Sequence, residues 1–290
     1  MGAPARTSKW LNINHLNHHL NVWDGGGTTT VLMLHGFLDL GASWSFTVDA
    51  LPKNDWHVVA PDWRGHGDSE WIGRGGYYHF TDYVRDVHQI AQAVRRDRLI
   101  VVAHSMGAMA AIHWLGAFPA FVDGAVLVEA VGPLPLTPDD YPDRLRQWLQ
   151  ETAPFIPASY QRPMTNYEHV ERRLSRRFPR LSPTVIAQIA RFSTHKKSDG
   201  SIHWKYDPLH RTTSPMPALP SITSAYLRKI SCPTLWVGGQ ESPFIRPDLF
   251  LWLKEVTHMQ QVILPDAGHL VHTEAAHKLA GELIDFIAGL

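Results

Sequence analysis

A serine framed by small residues is the feature of this sequence that most directly offers chemistry. In Leu99-Ile-Val-Val-Ala-His-Ser-Met-Gly107 an apolar, β-rich run turns through Ala103 to Gly107 into Met106 to Phe118, a stretch with helical character. The small residues at 103 and 107 answer a steric need: the turn is tight, the serine backbone is strained, and larger neighbours would collide with strand and helix. Strain pushes the Ser105 hydroxyl out at the helix N-terminus, where the positive dipole end and free N–H groups favour a developing anion. A serine so placed can be a covalent nucleophile once a base takes its proton. The same five residues also suit a serine that merely caps a helix, so its surroundings have to decide.

Two other segments supply what acyl transfer at Ser105 requires. Val31-Leu-Met-Leu-His-Gly-Phe37 reads as a strand ending in His-Gly. The oxyanion of a tetrahedral intermediate needs two converging N–H donors, and the backbone amides of Phe37 and Met106 fit those positions. His35 is read as structural, holding the loop. Leu264-Pro-Asp-Ala-Gly-His-Leu270 sets His269 between a last strand and a final helix. The chain has 18 histidines, so residue type alone singles out none of them; His269 is distinguished by position as the general base.

These residues need a scaffold, and the hydrophobic pattern predicts one. Val31 to Leu34, His57 to Ala60, Leu99 to Ala103, Ala125 to Val128, Thr234 to Val237 and Gln261 to Leu264 are short and continuously apolar. Such runs suit strands buried on both faces of a mostly parallel sheet. Phe80 to Arg95 places Tyr83, Val84, Val87, Ile90, Ala91 and Val94 at helical spacing, and with Met106 to Phe118 reads as a crossover helix. Lys9 to Ile13 and His19 to Trp23 alternate as a hairpin would, and Thr273 to Ala288 is expected to form one closing helix.

One connection is too long for a crossover, which needs only about a dozen residues. Roughly a hundred residues separate Val128 from Thr234. The insert, residues 131–229, has helical patterns at Tyr141 to Glu151 and Thr184 to Phe192 and is expected to form a helical cap over the strand ends. Residues 1–130 and 230–290 would then be the core. Arg172, Arg173, Arg176, Arg177 and Arg180 crowd one part of the insert; they could grip an anion, although a solvated helix face is the commoner use of such a run.

Val31 to Phe37, Asp62-Trp-Arg-Gly-His-Gly-Asp-Ser69, Ala103 to Gly107, Pro233 to Gly239 and Gly268-His269 together resemble, in this order, the α/β-hydrolase superfamily. The resemblance implies an α/β fold: a mostly parallel eight-stranded sheet with helices on both faces and an inserted helical cap. It also implies a structural role for Asp62 to Ser69. Within the superfamily, Arg173 through Pro215 is similar to the serine-hydrolase-like group. The family usually carries its catalytic acid as Asp in a Gly-x-x-Asp turn after the cap, but Gly239-Gln-Glu-Ser242 has serine there. Ser242 cannot supply the charge that orients a histidine and stabilises its imidazolium. Some members instead place the acid at the end of the preceding strand, which here is Glu129 of Leu127-Val-Glu-Ala130. A carboxylate ending a buried strand is costly unless paired, so Glu129 is the first choice for the acid and Glu241 the alternative. A salt bridge from Glu129 to the cap is the competing reading.

The expected reaction is cleavage of a small to medium carboxylic ester, or a thioester or lactone, through an acyl-enzyme on Ser105. Related dehalogenases and epoxide hydrolases use a carboxylate nucleophile, and Ser105 argues against both. Alternatives are a non-hydrolytic enzyme of this fold, such as a lyase or a carbon-carbon bond-cleaving enzyme, or a catalytically silent ligand-binding protein. The 11 tryptophans weakly suggest an apolar or aromatic substrate group.

Composition narrows the partners. In 290 residues, Lys+Arg and Asp+Glu are both 27, so no net field recruits nucleic acid. No metal-ligand spacing such as His-Glu-x-x-His is present, and no metal or cofactor is expected. Cys232, the single cysteine, cannot form an internal disulfide and is read as a buried thiol. Residues 1–8 hold no apolar stretch for a signal peptide, Arg6 stands where a myristoylation signal takes Ser or Thr, and no run reaches the roughly 18 apolar residues of a membrane span. Cytoplasmic residence is the resulting expectation.

Overall fold

The structure is a computed structural model that describes residues 4–51, 56–130, 132, 136–153 and 162–290. Met1 and Gly2, and Val131 at the start of the expected insert, lie outside the described residues. Its elements run β1 (Thr7–Ile13), β2 (Leu16–Asp24), β3 (Thr29–Leu34), α1 (Ser45–Val48), β4 (Trp56–Pro61), α2 (Phe80–Val94), β5 (Arg98–His104), α3 (Met106–Ala117) and β6 (Gly124–Val128). Then follow α4 (Tyr141–Thr152), α5 (Tyr167–Arg177), α6 (Pro183–Phe192), β7 (Thr194–Lys196), β8 (Ile202–Trp204), α7 (Pro220–Leu227), β9 (Thr234–Gly239), α8 (Pro247–Leu253), β10 (Met259–Leu264), α9 (Val271–Glu274) and α10 (Ala276–Ala288).

Eight strands form one sheet in the order β1-β2-β4-β3-β5-β6-β9-β10. The β1–β2 and β2–β4 pairings are antiparallel, and the remaining pairings are parallel. The continuous apolar runs have a direct explanation. Along β3 and β5, Leu32, Leu34, Leu99, Val101 and Ala103 face one hydrophobic cluster, while Val31, Met33, Ile100 and Val102 face another. Because both faces are covered, the alternation of side chains across a strand leaves no polar face to show in the sequence. Ile90 of α2 and Trp114 of α3 close the first layer; Leu279, Leu283 and Phe286 of α10 close the second.

The final helix differs from expectation. Instead of one helix from Thr273, the chain makes α9, breaks at Ala275 (φ −127°, ψ 38°) and resumes as α10. The break turns Glu274 back so that its carboxylate accepts hydrogen bonds from the amides of Gly268 and Leu270, at 2.8 and 3.3 Å. A straight helix would carry Glu274 away from that loop.

Between β6 and β9, α5, α6 and the antiparallel pair β7–β8 gather a small cluster of their own around Met164, Val170, Leu174, Ile186, Ala190 and Ile202. It is tied to the loop after β4: Tyr78 donates to Asp207 at 2.8 Å, and Lys205 pairs with Asp68 at 2.7 Å. Within that loop, Asp62 accepts from the Gly41 amide at 2.7 Å and the Asp68 amide at 2.9 Å and pairs with His19 at 2.9 Å. Its neighbour Arg64, buried, makes a two-pronged pair with buried Asp86 of α2, at 2.6 and 2.5 Å. The Asp62–Ser69 segment thus knits the core together.

Removing one side of a buried ion pair strands the other charge. Asp86→Ala should therefore destabilise the fold by about 3–5 kcal/mol, read from the urea unfolding midpoint; a loss below about 1 kcal/mol, the range of exposed pairs, would show that Arg64 does not depend on Asp86.

Candidate active site

At the end of β5 the backbone of Ser105 adopts φ 50°, ψ −116°, an uncommon conformation for a residue with a side chain. Its amide donates to the Val128 carbonyl at 3.0 Å, locking the turn to the next strand. Gly107 is compelled by space: a Cβ there would lie 2.6 Å from the His35 carbonyl oxygen and 2.8 Å from that of Leu34. α3 can start against the end of β3 only without a side chain at 107, which fixes where the Ser105 hydroxyl emerges.

Three strand ends bring the other groups to it. Ser105 Oγ lies 3.0 Å from His269 Nε2, and His269 Nδ1 lies 2.8 Å from Glu129 Oε2. Glu129, one residue past β6, has φ 52° and a fully buried carboxylate. That carboxylate also accepts from the Gly239 amide at 2.7 Å and the Ser242 hydroxyl at 2.5 Å. No described residue between β6 and β9 pairs with it in these hydrogen bonds; its partners come from β9, the turn after it and the His269 loop. Glu241 is exposed and carries no hydrogen bond to His269.

His269 is held from several sides. Its carbonyl accepts from His104 Nε2 at 2.8 Å, and the Phe244 ring lies 4.6 Å from its own, centroid to centroid. Burial, and then the neighbouring rings of His272 and His269, push the His104 pKa well below that of an ordinary imidazole, so His104 is a neutral donor. A Cβ at Gly239 would sit 2.3 Å from the Gly268 carbonyl, so this loop packs directly on the end of β9. The Phe37 amide stands in the loop after β3 and the Met106 amide at the first turn of α3, and neither donates to a described residue. His35 is structural as expected, accepting from the Trp63 amide at 3.1 Å.

Residues 29–276 match the family described as the alpha/beta hydrolase fold. The chain belongs to that family. A serine hydrolase-like protein of Danio rerio is 32% identical over 163 residues, 56% of this chain and 50% of that protein. A human serine hydrolase-like protein is 31% identical over 99 residues, 34% of this chain and 48% of that protein. The chain thus spans about half the length of these curated relatives. Among solved structures, a thioesterase domain from the curacin biosynthetic pathway superposes with a TM-score of 0.86 at 26% identity, covering 97% of this chain and 99% of that one. An esterase from Mycobacterium tuberculosis, Rv0045c, superposes with a TM-score of 0.74 at 19% identity, covering 99% and 92%, a likeness of fold alone. No helix among the described residues is long and apolar enough to cross a membrane.

In this family member Ser105 and His269 open into a cavity of about 780 Å³. Its walls are mixed. Phe37, Leu174, Phe178, Ile189, Trp204 and Phe244 supply apolar surface, and Arg173, Arg177 and Arg211 supply charge. The arginine run of the insert is therefore divided: Arg173 and Arg177 line the cavity, Arg172 pairs with Glu168 at 3.1 Å, and Arg180 pairs with Glu274 at 2.9 Å. Of the tryptophans, Trp204 lines the cavity, whereas Trp44, Trp63, Trp114 and Trp236 are wholly buried in the core. Asp39, also lining the cavity, is pushed up by burial but drawn down further by His272, 3.3 Å away, to a pKa of about 2.

Among the described residues, two groups of side chains are close enough to hold a metal ion: Asp39 with His104 and His272, and His19 with Asp62 and Asp68. The second is already committed to the hydrogen bonds that tie the Asp62 loop to the core. Ser242, His104 and Glu274 all hold the Ser105–His269–Glu129 chain in place, and sequence reasoning assigned none of them that task. Only Ser242 carried a signal, as a conspicuous replacement of the family's usual acid.

Glu274→Ala removes the acceptor shared by the Gly268 and Leu270 amides. Leaving these partly buried donors unpaired should cost about 1–3 kcal/mol and speed hydrogen exchange at both amides. Unchanged protection at Gly268 would mean that Glu274 does not hold the loop.

Proposed function

We propose that this protein is a serine hydrolase that cleaves a carboxylic ester through an acyl-enzyme on Ser105. The observation that carries the reading is the continuous chain from Ser105 Oγ to His269 Nε2, at 3.0 Å, and from His269 Nδ1 to Glu129, at 2.8 Å. In this reading His269 takes the hydroxyl proton as Ser105 attacks the ester carbonyl. Glu129 accepts a hydrogen bond from Nδ1–H, fixing the tautomer and stabilising the imidazolium. The Phe37 and Met106 amides donate to the oxyanion. Collapse expels the alcohol, which receives the proton from His269; water, deprotonated by the same imidazole, then releases the acid and restores Ser105.

A hydrogen-bonded serine, histidine and buried carboxylate would be an expensive ornament in a silent binding protein, since Glu129 has to be desolvated to make it. Epoxide hydrolase A of M. tuberculosis is 32% identical over 111 residues, but this chain has Ser105 where that chemistry needs a carboxylate. A thioester is the second reading, favoured by the 26% identity to a thioesterase domain over 97% of the chain. The same steps serve it, with a thiolate as leaving group.

We assign residues 131–229 to a cap and residues 1–130 with 230–290 to the core; the separate cluster around Val170 and Ile186 supports the division. The C-terminal part of that insert, α7, packs on α3. Cytoplasmic residence belongs to the same proposal, and cell fractionation tests it.

Ser105→Ala should fold but lose turnover of 4-nitrophenyl esters by about 10⁶-fold, the scale for removal of such a nucleophile, and should no longer be labelled by a fluorophosphonate. Retained activity in folded Ser105→Ala would refute the assignment. Glu129→Gln should lower kcat by about 10⁴-fold, whereas Glu241→Gln should leave it near wild type; the reverse pattern would move the acid to Glu241. Turnover by this route uses no metal, so EDTA should not change the rate, and loss of activity in EDTA restored by zinc would contradict the mechanism.

A further inference from the structure

We propose that Arg173, Arg177 and Arg211 form an oxyanion-binding subsite in the cavity over Ser105, so that the natural substrate is an ester or thioester carrying a second, negatively charged group. The inference rests on the reading of Ser105 as nucleophile and names the class of molecule brought to it.

The arginines come from two separate parts of the insert. Arg173 and Arg177 are four residues apart on α5, hence on one face, and Arg211 ends the short helical turn Pro208–Arg211 after β8. Like charges at this helical spacing repel each other, and among the described residues none of the three makes an ion pair with a carboxylate. Arg172 and Arg180, on the same stretch of chain but outside the cavity, each have one. Among the described residues the only carboxylate lining the cavity, Asp39, is paired with His272. The described wall of the cavity therefore carries three arginines, each still exposed to solvent at this open mouth, with no carboxylate paired to them.

Aromatic neighbours orient two of these groups. The Arg173 guanidinium lies 5.8 Å from the Trp204 ring centre and that of Arg177 lies 5.0 Å from Phe178. A guanidinium set against an aromatic face keeps its in-plane N–H groups free, and these match the paired oxygens of a carboxylate, phosphate or sulfate. A cavity of about 780 Å³ exceeds what a simple short-chain ester fills, leaving room for such a group beyond the scissile bond. The charge can sit on the acyl chain or on the leaving group, since both extend from Ser105 into this one cavity.

The test compares matched pairs that differ in charge. For the acyl side these are 4-nitrophenyl hemisuberate and its methyl-capped diester, followed by nitrophenolate release. For the leaving-group side they are butyryl-coenzyme A and butyryl-N-acetylcysteamine, followed by thiol release. At about 20 mM salt, where screening is weak, at least one anionic member should show kcat/KM about tenfold or more above its neutral partner, as steering into a charged cleft gives. That ratio should shrink in about 0.5 M salt, where the Debye length is only a few ångströms. It should fall towards one in the double variant Arg173→Gln/Arg177→Gln and stay at the wild-type value in Arg172→Gln/Arg176→Gln. Using a ratio within each variant removes any loss of folded enzyme from the comparison. Ratios near one in both pairs, or a preference that survives the double variant, would overturn the subsite while Ser105-dependent turnover of the neutral esters kept the hydrolase reading. Absence of turnover and of fluorophosphonate labelling would overturn both.

Discussion

A carboxylate shut away from water is tolerable only if donors meet it, and Glu129 imposes that condition on this end of the sheet. Its two oxygens are satisfied by the Gly239 amide, the Ser242 hydroxyl and the His269 ring, at 2.5 to 2.8 Å. Those partners belong to the end of β9, the turn after it and the loop after β10. Each must close on β6 for the charge to be paired. Gly239 lets the His269 loop come down on β9, His104 holds the His269 carbonyl from the β5 side, and Glu274 ties the loop's amides to the short α9. The position of the imidazole over Ser105 follows from this set of contacts.

The same logic accounts for the serine at 242. An aspartate in the turn after β9 would put a second carboxylate against Glu129, and two carboxylates sharing a site cannot both stay ionised. With the acid on β6, the turn needs a donor instead, and a serine hydroxyl is the smallest one that reaches. The departure from the family's usual pattern is a matched pair: the carboxylate stands one strand over, at the end of β6, and Ser242 donates a hydrogen bond to it.

Much of the core was legible because its physics is local. A strand covered on both faces has no polar alternation, so Val31 to Leu34 and Leu99 to Ala103 stand out as unbroken apolar runs, and the small-x-Ser-x-Gly turn is demanded by the collision that any side chain at 107 would have with the end of β3. Glu129 could be singled out because a charge ending a buried strand needs a reason. Features that depend on distant partners stayed hidden. The break at Ala275 makes sense only when Glu274 is seen under Gly268, six residues away in sequence but across a loop. The division of the arginines between ion pairs and cavity wall depends on where Glu168, Glu274 and Trp204 lie. Nothing in the spacing of the run distinguishes Arg173 from Arg172 except which way α5 faces.

That facing is set by the insert's own small core. Val170 and Leu174 pack inward with Ile186 and Ala190 of α6. Arg173 and Arg177, each three residues beyond one of those anchors, fall on the flank of α5 that meets the cavity, whereas Arg172 is carried round to Glu168. The hydrophobic register of α5 thus decides which guanidinium groups reach the space over Ser105. The sheet fixes Ser105 and His269 through Glu129 and its donors, and the insert fixes, through two buried side chains on one helix, the charge that lines the cavity. The two parts are joined by contacts between the loop after β4 and the strip from Lys205 to His210. The charge that lines the cavity and the arrangement of Ser105, His269 and Glu129 can therefore change independently, the first through the face that α5 presents and the second only through the strand ends around Glu129.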